Sequence, residues 1–219
     1  MPTKLPVVLC LHGFGTNAAI FKLQTRHVRA ALESEVRFVF VDGPFDAPPG
    51  PGVLPCFADC GPFFSWFSSW RNASIEQSAA DHLAILQAIN DCLAKHNLTC
   101  DDISGVLGFS QGALAASLIS ILRQNRFTTW QSLRVAILLC GAYHDVRPLI
   151  TQGKRLDIPS IHVHGLRDPL LPSSRLLYSQ IFSKEAAIMI EMDIDHTLPH
   201  EPSDIVEMAR HVRNAMVVS

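Results

Sequence analysis

The chain has 219 residues, 48% of them hydrophobic, with a formal net charge of −2 at pH 7 and a pI near 6.5. This length predicts one domain over 1–219 with its own core, because two domains would leave each of them small. The near-neutral charge and the absence of any basic run in the sequence exclude a general nucleic-acid partner and an anionic membrane surface.

The apolar segments and the cysteines indicate a cytoplasmic protein. No stretch of the sequence approaches the roughly 18 apolar residues of a membrane span, and the apolar run near the start is too short for a signal peptide. Cys10 and Cys140 lie in apolar runs, where a reduced thiol packs as a small hydrophobe. Cys56 and Cys60 are close in sequence, but without a secretory signal we expect free thiols.

Short apolar runs alternate with amphipathic stretches along the chain. Strands are predicted at 6–11, 36–41, 103–108, 134–140, 159–164 and 187–192, and helices at about 18–33, 75–97, 111–125, 173–183 and 203–217. The strand runs are almost continuously hydrophobic, which is typical of parallel strands covered on both faces. The alternation predicts an α/β fold, with a mostly parallel sheet of about six strands and helices on both faces. Right-handed crossovers then place the loops that follow the strands on one edge, where ligands bind.

The segment 42–73 fits neither pattern. It holds six of the fourteen prolines and seven aromatic residues but few charges, so its composition argues against disorder. A connection of this length inside a compact domain is usually functional. Two interpretations stay open, a satellite core that plugs one end of the sheet and a wall of the substrate pocket. The aromatic residues expected to line the pocket on the second interpretation are Phe63, Phe64, Trp66 and Phe67.

The residues Gly108-Phe109-Ser110-Gln111-Gly112 match the pattern G-x-S-x-G between a predicted strand and a predicted helix. This context is that of a nucleophile elbow, in which the serine lies on a tight strand-to-helix turn. Side chains two positions before and after the serine would collide with neighbouring backbone, which explains the two glycines. The start of the helix offers its positive dipole end to developing negative charge. We therefore predict an α/β-hydrolase fold with Ser110 as the nucleophile.

A serine nucleophile needs a histidine base and an acid that orients the base, and on this fold the chain order is serine, acid, histidine. Asp168 follows a predicted strand on the catalytic edge, and His196 follows the last strand. His200, four residues further on, stays open as an alternative base. Other acids are weaker candidates, because they precede their strand or lie too close to His196 in sequence. They are Asp157, Asp193 and Asp195.

The oxyanion of an acyl-transfer reaction needs two backbone N–H donors. We predict one from Gln111, directly after the nucleophile, and one from Phe14, in the glycine-flanked loop after the first strand. His162 and His164 alternate along one strand, but no third ligand follows at a suitable spacing for a metal. We therefore expect neither a metal nor another cofactor.

Taken together, these motifs resemble a known family. In chain order, LHGFGTNAAIF, VDGPFDAPPGPG, GPFFSWF, GFSQGA, HVHGLRDPLLP and DHTLP are similar to the eukaryotic "family of serine hydrolases" group. That group includes hydrolases of the ovarian-cancer-associated type and fungal trans-acting polyketide thioesterases of the lovastatin-pathway type. The resemblance implies a triad of Ser110, Asp168 and His196. The glycines that the family has before its histidine are replaced here by Ile194 and Asp195.

The resemblance also implies the reaction, which is hydrolysis of an acyl thioester or ester through an acyl-enzyme intermediate. The leading hypothesis is a thioesterase that releases a polyketide or other acyl chain, with an acyl carrier protein or polyketide synthase as the partner presenting it. The alternative enzyme is a general carboxylesterase for medium- or long-chain esters. The alternative outside catalysis is a carrier-protein-binding module, and the intact set of three residues argues against it.

Overall fold

The structure is a computed structural model that describes residues 5–69, 75–125, 129–151 and 154–217. Eight strands alternate with six α-helices in this part of the chain. The strands are β1 (Val7–Leu11), β2 (Arg37–Val41), β3 (Phe45–Ala47), β4 (Phe63–Ser65), β5 (Ile103–Phe109), β6 (Val135–Leu139), β7 (Ser160–Gly165) and β8 (Ala187–Met192). The helices are α1 (Ala18–Gln24), α2 (Arg26–Leu32), α3 (Ile75–Lys95), α4 (Gln111–Gln124), α5 (Leu171–Leu176) and α6 (Pro202–Val217).

Six strands form one parallel sheet in the order β2-β1-β5-β6-β7-β8. The predicted mostly parallel sheet is confirmed, and each of its six strands agrees with the prediction to within one residue at either end. The chain leaves β1 toward β2 on one side and returns to β5 on the other. The carboxyl ends of β1 and β5 therefore flank the point where the strand order reverses, which is where open α/β sheets bind ligands.

Helices cover both faces of the sheet. Val8 and Cys10 of β1 pack into the apolar cluster formed with α1, α2 and α6, whereas Leu9, one position between them, packs into the cluster formed with α3 and α4. This alternation on a fully buried strand is the reason for the unbroken apolar runs in the sequence. None of the described helices is both long and apolar enough to cross a membrane.

Two helix predictions need correction in detail. The stretch predicted as one helix over 18–33 forms two, α1 and α2, because the backbone turns at Thr25 with ψ at 7°. The Thr25 hydroxyl donates to the Phe21 carbonyl at 2.8 Å, which satisfies a terminal carbonyl of α1. The helix predicted over 173–183 begins at Leu171 and continues from α5 into a π-helical turn over Leu177–Ile181.

The residues 42–69, here called the bracing segment, are tied to the loop that follows β1. The strands β3 and β4 pair with each other in antiparallel fashion rather than joining the main sheet. The Gly15 N–H donates to the Phe64 carbonyl at 2.9 Å, and the Phe64 N–H donates to the Thr16 carbonyl at 2.8 Å. The Gly50 N–H donates to the Gly15 carbonyl at 2.9 Å. Residues 70–73, the rest of the aromatic stretch, lie outside the described residues.

Candidate active site

Ser110 lies on the turn between β5 and α4, with φ at 53° and ψ at −116°. Positive φ is costly for a residue with a side chain, so neighbouring contacts must impose it. The Ser110 N–H donates to the Leu139 carbonyl at 2.9 Å, and the Ser110 carbonyl accepts from the Ala142 N–H at 3.0 Å. A Cβ atom on Gly108 would strike the backbone of Gly112, and one on Gly112 would strike the end of β1. The two glycines therefore allow the close backbone crossing that the turn requires.

Ser110, His196 and Asp168 form a continuous chain of hydrogen bonds. Ser110 Oγ lies 2.9 Å from His196 Nε2, and His196 Nδ1 lies 2.8 Å from Asp168 Oδ2. The other carboxylate oxygen of Asp168 accepts from the Leu170 N–H at 2.7 Å. The Asp168 side chain is fully buried, whereas 27% of the His196 side chain is exposed. A carboxylate at Nδ1 favours the tautomer with its proton there, which leaves Nε2 free to accept the serine proton.

His200, the alternative base, occupies a different position. Its Nδ1 lies 3.4 Å from the Leu198 carbonyl and its Nε2 lies 3.6 Å from a carboxylate oxygen of Glu201. More than half of the side chain, 55%, is exposed. His200 thus lies at the rim of the site, and the contact with Ser110 is made by His196.

The alternative acids are also placed away from the His196 ring. Asp193 and Asp195 both pair with Arg167, at 3.1 and 3.3 Å, and their side chains are 76% and 72% exposed. Asp157 precedes β7 and so lies at the opposite edge of the sheet, where its N–H donates to the Gln124 side chain at 2.6 Å.

A cavity of about 900 Å³ opens beside the triad. This volume is in the range of small-molecule binding sites. Its lining comes from the loops that follow β1, β5, β6, β7 and β8, together with the corner between α1 and α2. Apolar and aromatic side chains of the lining include Phe14, Phe109, Tyr143, Leu170 and Leu198. The described residues of the lining also include Gln24, Arg26, His27 and His200.

Phe14 and Gln111, the predicted sources of the oxyanion donors, both line this cavity together with Ser110. Within the described ranges, neither backbone N–H donates to a protein acceptor. The Gln111 N–H belongs to the first turn of α4, where helical donors have no partner inside the helix. Both groups are thus available to an oxygen atom of a ligand.

None of the four aromatic side chains expected to line the pocket is among the residues that line this cavity. Trp66 is completely buried, and its indole N–H donates to the His12 carbonyl at 2.8 Å. Its backbone N–H donates to the Gln111 side-chain oxygen at 2.9 Å. The bracing segment reaches the cavity through Pro51 and Gly52 instead. The four aromatic residues outside the lining are Phe63, Phe64, Trp66 and Phe67.

These contacts show a role that the sequence reasoning missed for the Gln111 side chain. Its oxygen accepts from the Trp66 N–H and from the Ser65 hydroxyl, at 2.9 and 3.1 Å. Gln111 thereby connects the turn at Ser110 to the end of β4. No sequence signal identifies this contact, because its partners lie 45 and 46 positions away.

The His12 side chain stabilises the loop after β1 through hydrogen bonds at both ring nitrogens. Its Nδ1 donates to the Gly13 carbonyl at 2.7 Å, and its Nε2 accepts from the Gly43 N–H at 2.9 Å. The ring is completely buried, and this burial lowers the pKa of His12 to about 4. His12 is therefore a neutral hydrogen-bonding brace at physiological pH.

Cys140 lies next to Asp168 and His196. Within the described ranges, three groups lie close enough to be potential ligands of one metal ion, with ligand atoms no more than 4.8 Å apart. They are the Cys140 thiol, the Asp168 carboxylate and the His196 ring. Burial, with the nearby Asp168 charge as a smaller cause, raises the pKa of the Cys140 thiol to about 12. Metal binding requires the thiolate, so a thiol held in its protonated form is a poor ligand.

Comparison with known proteins adds family and fold. A family model described as "Serine hydrolase (FSH1)" matches residues 1–208. The "Dihydromonacolin L-[lovastatin nonaketide synthase] thioesterase" of Aspergillus terreus is 33% identical, over 97% of this chain and 93% of the relative. The "Esterase mlcF" of Penicillium citrinum is 31% identical, over 93% of this chain and 87% of the relative.

Two solved structures show the same fold at low identity. A Bacillus cereus carboxylesterase matches with a TM-score of 0.63 and 17% identity, over 96% of this chain and 89% of that one. SOBER1 of Arabidopsis thaliana matches with a TM-score of 0.65 and 14% identity, over 97% of this chain and 100% of that one. The α/β-hydrolase fold predicted from the sequence is thus confirmed.

The buried state of His12 predicts a loss of stability in acid. Its pKa is about 4 in the folded state against 6.5 when unfolded, so the unfolded state binds more protons between these values. The free energy of unfolding should therefore fall by about 3 kcal/mol from this group as the pH drops from 6.5 to 4. Chemical denaturation across this pH range should show a smaller decrease in the free energy of unfolding for His12→Asn than for the wild type. An NMR titration of the His12 ring with a midpoint near 6.5 would contradict the prediction.

Proposed function

Because this chain belongs to the serine hydrolase (FSH1) family, we propose that it hydrolyses acyl thioesters and esters through an acyl-enzyme formed on Ser110. The observation that carries the proposal is the unbroken hydrogen-bond chain from Ser110 through His196 to the buried Asp168, beside a cavity of about 900 Å³. We further propose that the whole chain acts as one catalytic domain in the cytoplasm, on acyl groups presented by an acyl carrier protein or polyketide synthase.

The acylation step begins with proton transfer along this hydrogen-bond chain. Ser110 Oγ attacks the carbonyl carbon of the substrate while His196 Nε2 takes its proton, and the Asp168 carboxylate stabilises the resulting imidazolium. The carbonyl oxygen becomes an oxyanion, which the N–H groups of Phe14 and Gln111 stabilise. The positive end of the α4 dipole acts in the same direction.

The tetrahedral intermediate collapses when the bond from carbon to sulfur, or to the ester oxygen, breaks. His196 Nε2 gives its proton to the departing atom, so the leaving group exits as a neutral thiol or alcohol. Water then attacks the acyl carbon while His196 takes one of its protons. The second collapse returns a proton to Ser110 Oγ and releases the carboxylic acid, and the triad is restored.

The acyl chain is bound by the apolar lining of the cavity. Tyr143 and Leu170 come from the loops after β6 and β7, and Phe14 comes from the loop after β1. Each methylene that moves from water into such a surface contributes about 0.8 kcal/mol at most. This supports a substrate with an extended apolar acyl group.

A thioester is the favoured substrate, supported by the thioesterase relative. A carboxylesterase is the second candidate, since a relative of similar identity is named as an esterase. A binding module without catalysis would not need Ser110, His196 and Asp168 in hydrogen-bond contact, so this geometry speaks against it.

Substitutions in the triad should remove turnover of a p-nitrophenyl ester without unfolding the protein. We expect Ser110→Ala and His196→Ala to lower kcat by about 10⁶, and Asp168→Asn to lower it by about 10⁴ through loss of imidazole orientation. Steady-state kinetics on each purified variant, with a melting curve as the check on folding, measures these losses.

Two matched variants separate the triad from its neighbours. Asp195→Asn removes an exposed carboxylate near His196 and should keep kcat within about tenfold of the wild type, as for surface substitutions. His200→Ala should lose at least about a thousandfold less than His196→Ala. A larger loss for His200→Ala than for His196→Ala would reverse the assignment of the base.

A matched thioester and oxoester with the same acyl chain separate the two substrate classes. We expect the wild type to favour the thioester in kcat/KM by about tenfold or more, about 1.4 kcal/mol at the transition state. The ratio should be corrected by the hydroxide-catalysed rates of the same pair, because leaving-group chemistry alone also changes it. A corrected preference for the oxoester would favour the carboxylesterase.

A further inference from the structure

Basic side chains outnumber acidic ones in the lining of the cavity. The chain has 20 acidic and 18 basic residues, yet the basic side chains of the lining outside the triad are Arg26, His27 and His200. Of these, the His200 ring lies 3.6 Å from the Glu201 carboxylate. The one carboxylate of the lining, Asp168, is fully buried behind His196. Within the described lining, Arg26 is therefore the one permanently charged side chain outside the triad, and no acid of the lining pairs with it.

These three residues come together from two parts of the chain. Arg26 and His27 begin α2, and His200 ends the loop that leads from β8 into α6. The helices α2 and α6 pack against each other, and the Arg213 guanidinium of α6 donates to the Ala31 carbonyl of α2 at 2.7 Å. These basic residues thus line one side of the cavity, here called the basic side, on the sheet face that α1, α2 and α6 cover.

The chemistry of the triad indicates which part of the substrate lies on the basic side of the cavity. His196 Nε2 must protonate the departing atom, so the leaving group has to lie next to His196. The loop continues from His196 to His200 at the basic side. Tyr143 packs against the core of the opposite sheet face, and its N–H donates to the Ser173 hydroxyl at 2.7 Å. The apolar wall there suits the acyl chain, and the basic side with Arg26 suits an anionic leaving group.

Arg26 makes few polar contacts within the described part of the protein. Within the described chain Arg26 forms no ion pair, and its one hydrogen bond is a long one of 3.4 Å to the Leu23 carbonyl. The Arg26 guanidinium therefore keeps N–H donors that a ligand can use.

We propose that Arg26, assisted by His27 and His200, binds a phosphate group on the leaving thiol of the substrate. Biological acyl thioesters are carried on the thiol of a phosphopantetheine arm, either on a carrier protein or in coenzyme A. A guanidinium binds phosphate through two parallel N–H groups, which suits an arginine that lines the cavity without an ion pair of its own among the described residues. This inference rests on the proposed thioesterase function and assigns its leaving-group side.

The direct test compares an acyl-phosphopantetheine with the acyl-pantetheine that lacks only the phosphate. The quantity measured is the ratio of the two kcat/KM values. In the wild type we expect the phosphate-bearing thioester to be favoured by about tenfold or more, and Arg26→Gln should remove most of this preference, as expected for a lost charge-assisted hydrogen bond. The change should appear in KM rather than kcat, because the contact exists before the reaction starts.

Arg29→Gln is the matched control, because it removes the same charge from the same helix outside the lining of the cavity. It should leave the ratio at its wild-type value. The same variants assayed with acyl-coenzyme A and with an acylated carrier protein identify the natural source of the phosphate. A larger Arg26 effect on either of these substrates supports the subsite.

Two results would overturn the inference. A wild-type ratio near one, or an equal change of the ratio in Arg26→Gln and Arg29→Gln, would exclude a phosphate contact while leaving the thioesterase function intact. Failure of the proposed function has a different signature, in which the wild type turns over neither thioester, and it would remove the inference as well.

Discussion

Ser110 keeps a backbone conformation, with φ at 53°, that a residue with a side chain adopts only when its surroundings impose it. The surroundings are a backbone crossing, in which Gly112 at the start of α4 lies directly against the end of β1. This crossing joins the two strands at the switch point of the sheet. It therefore fixes Ser110, the first turn of α4 and the loop with Phe14 relative to one another.

The bracing segment stabilises that arrangement from outside the cavity. Trp66 donates to the backbone of His12 and to the side chain of Gln111, so one residue contacts the loops on both sides of the switch point. The ring of His12 completes the brace through Gly43. Aromatic residues between β2 and α3 thus hold the loops of the predicted oxyanion donors, while the cavity itself is lined mainly by residues from elsewhere in the chain, among them Leu170 and Arg26.

The sequence predicts the sheet and the order of the triad because both depend on local signals. Buried parallel strands leave unbroken apolar runs, and the positions of Asp168 and His196 follow from which strand each one succeeds. The place of Trp66 could not be predicted, because side-chain direction in an irregular loop has no period and its partner His12 lies 54 positions earlier. The position of Arg26 at the cavity could not be predicted either, because the sequence shows one continuous helical pattern there. The break at Thr25 places the start of α2 at the cavity.

The identity of the nucleophile can be measured directly. The protein is incubated with a fluorophosphonate, digested, and mapped by mass spectrometry to locate the covalent adduct. We expect one adduct, on the peptide that contains Ser110, formed by the folded protein and abolished by prior heat denaturation, because reactivity depends on contact with His196. An adduct on any other residue, or equal labelling of the folded and denatured protein, would contradict the assignment of Ser110 as an activated nucleophile.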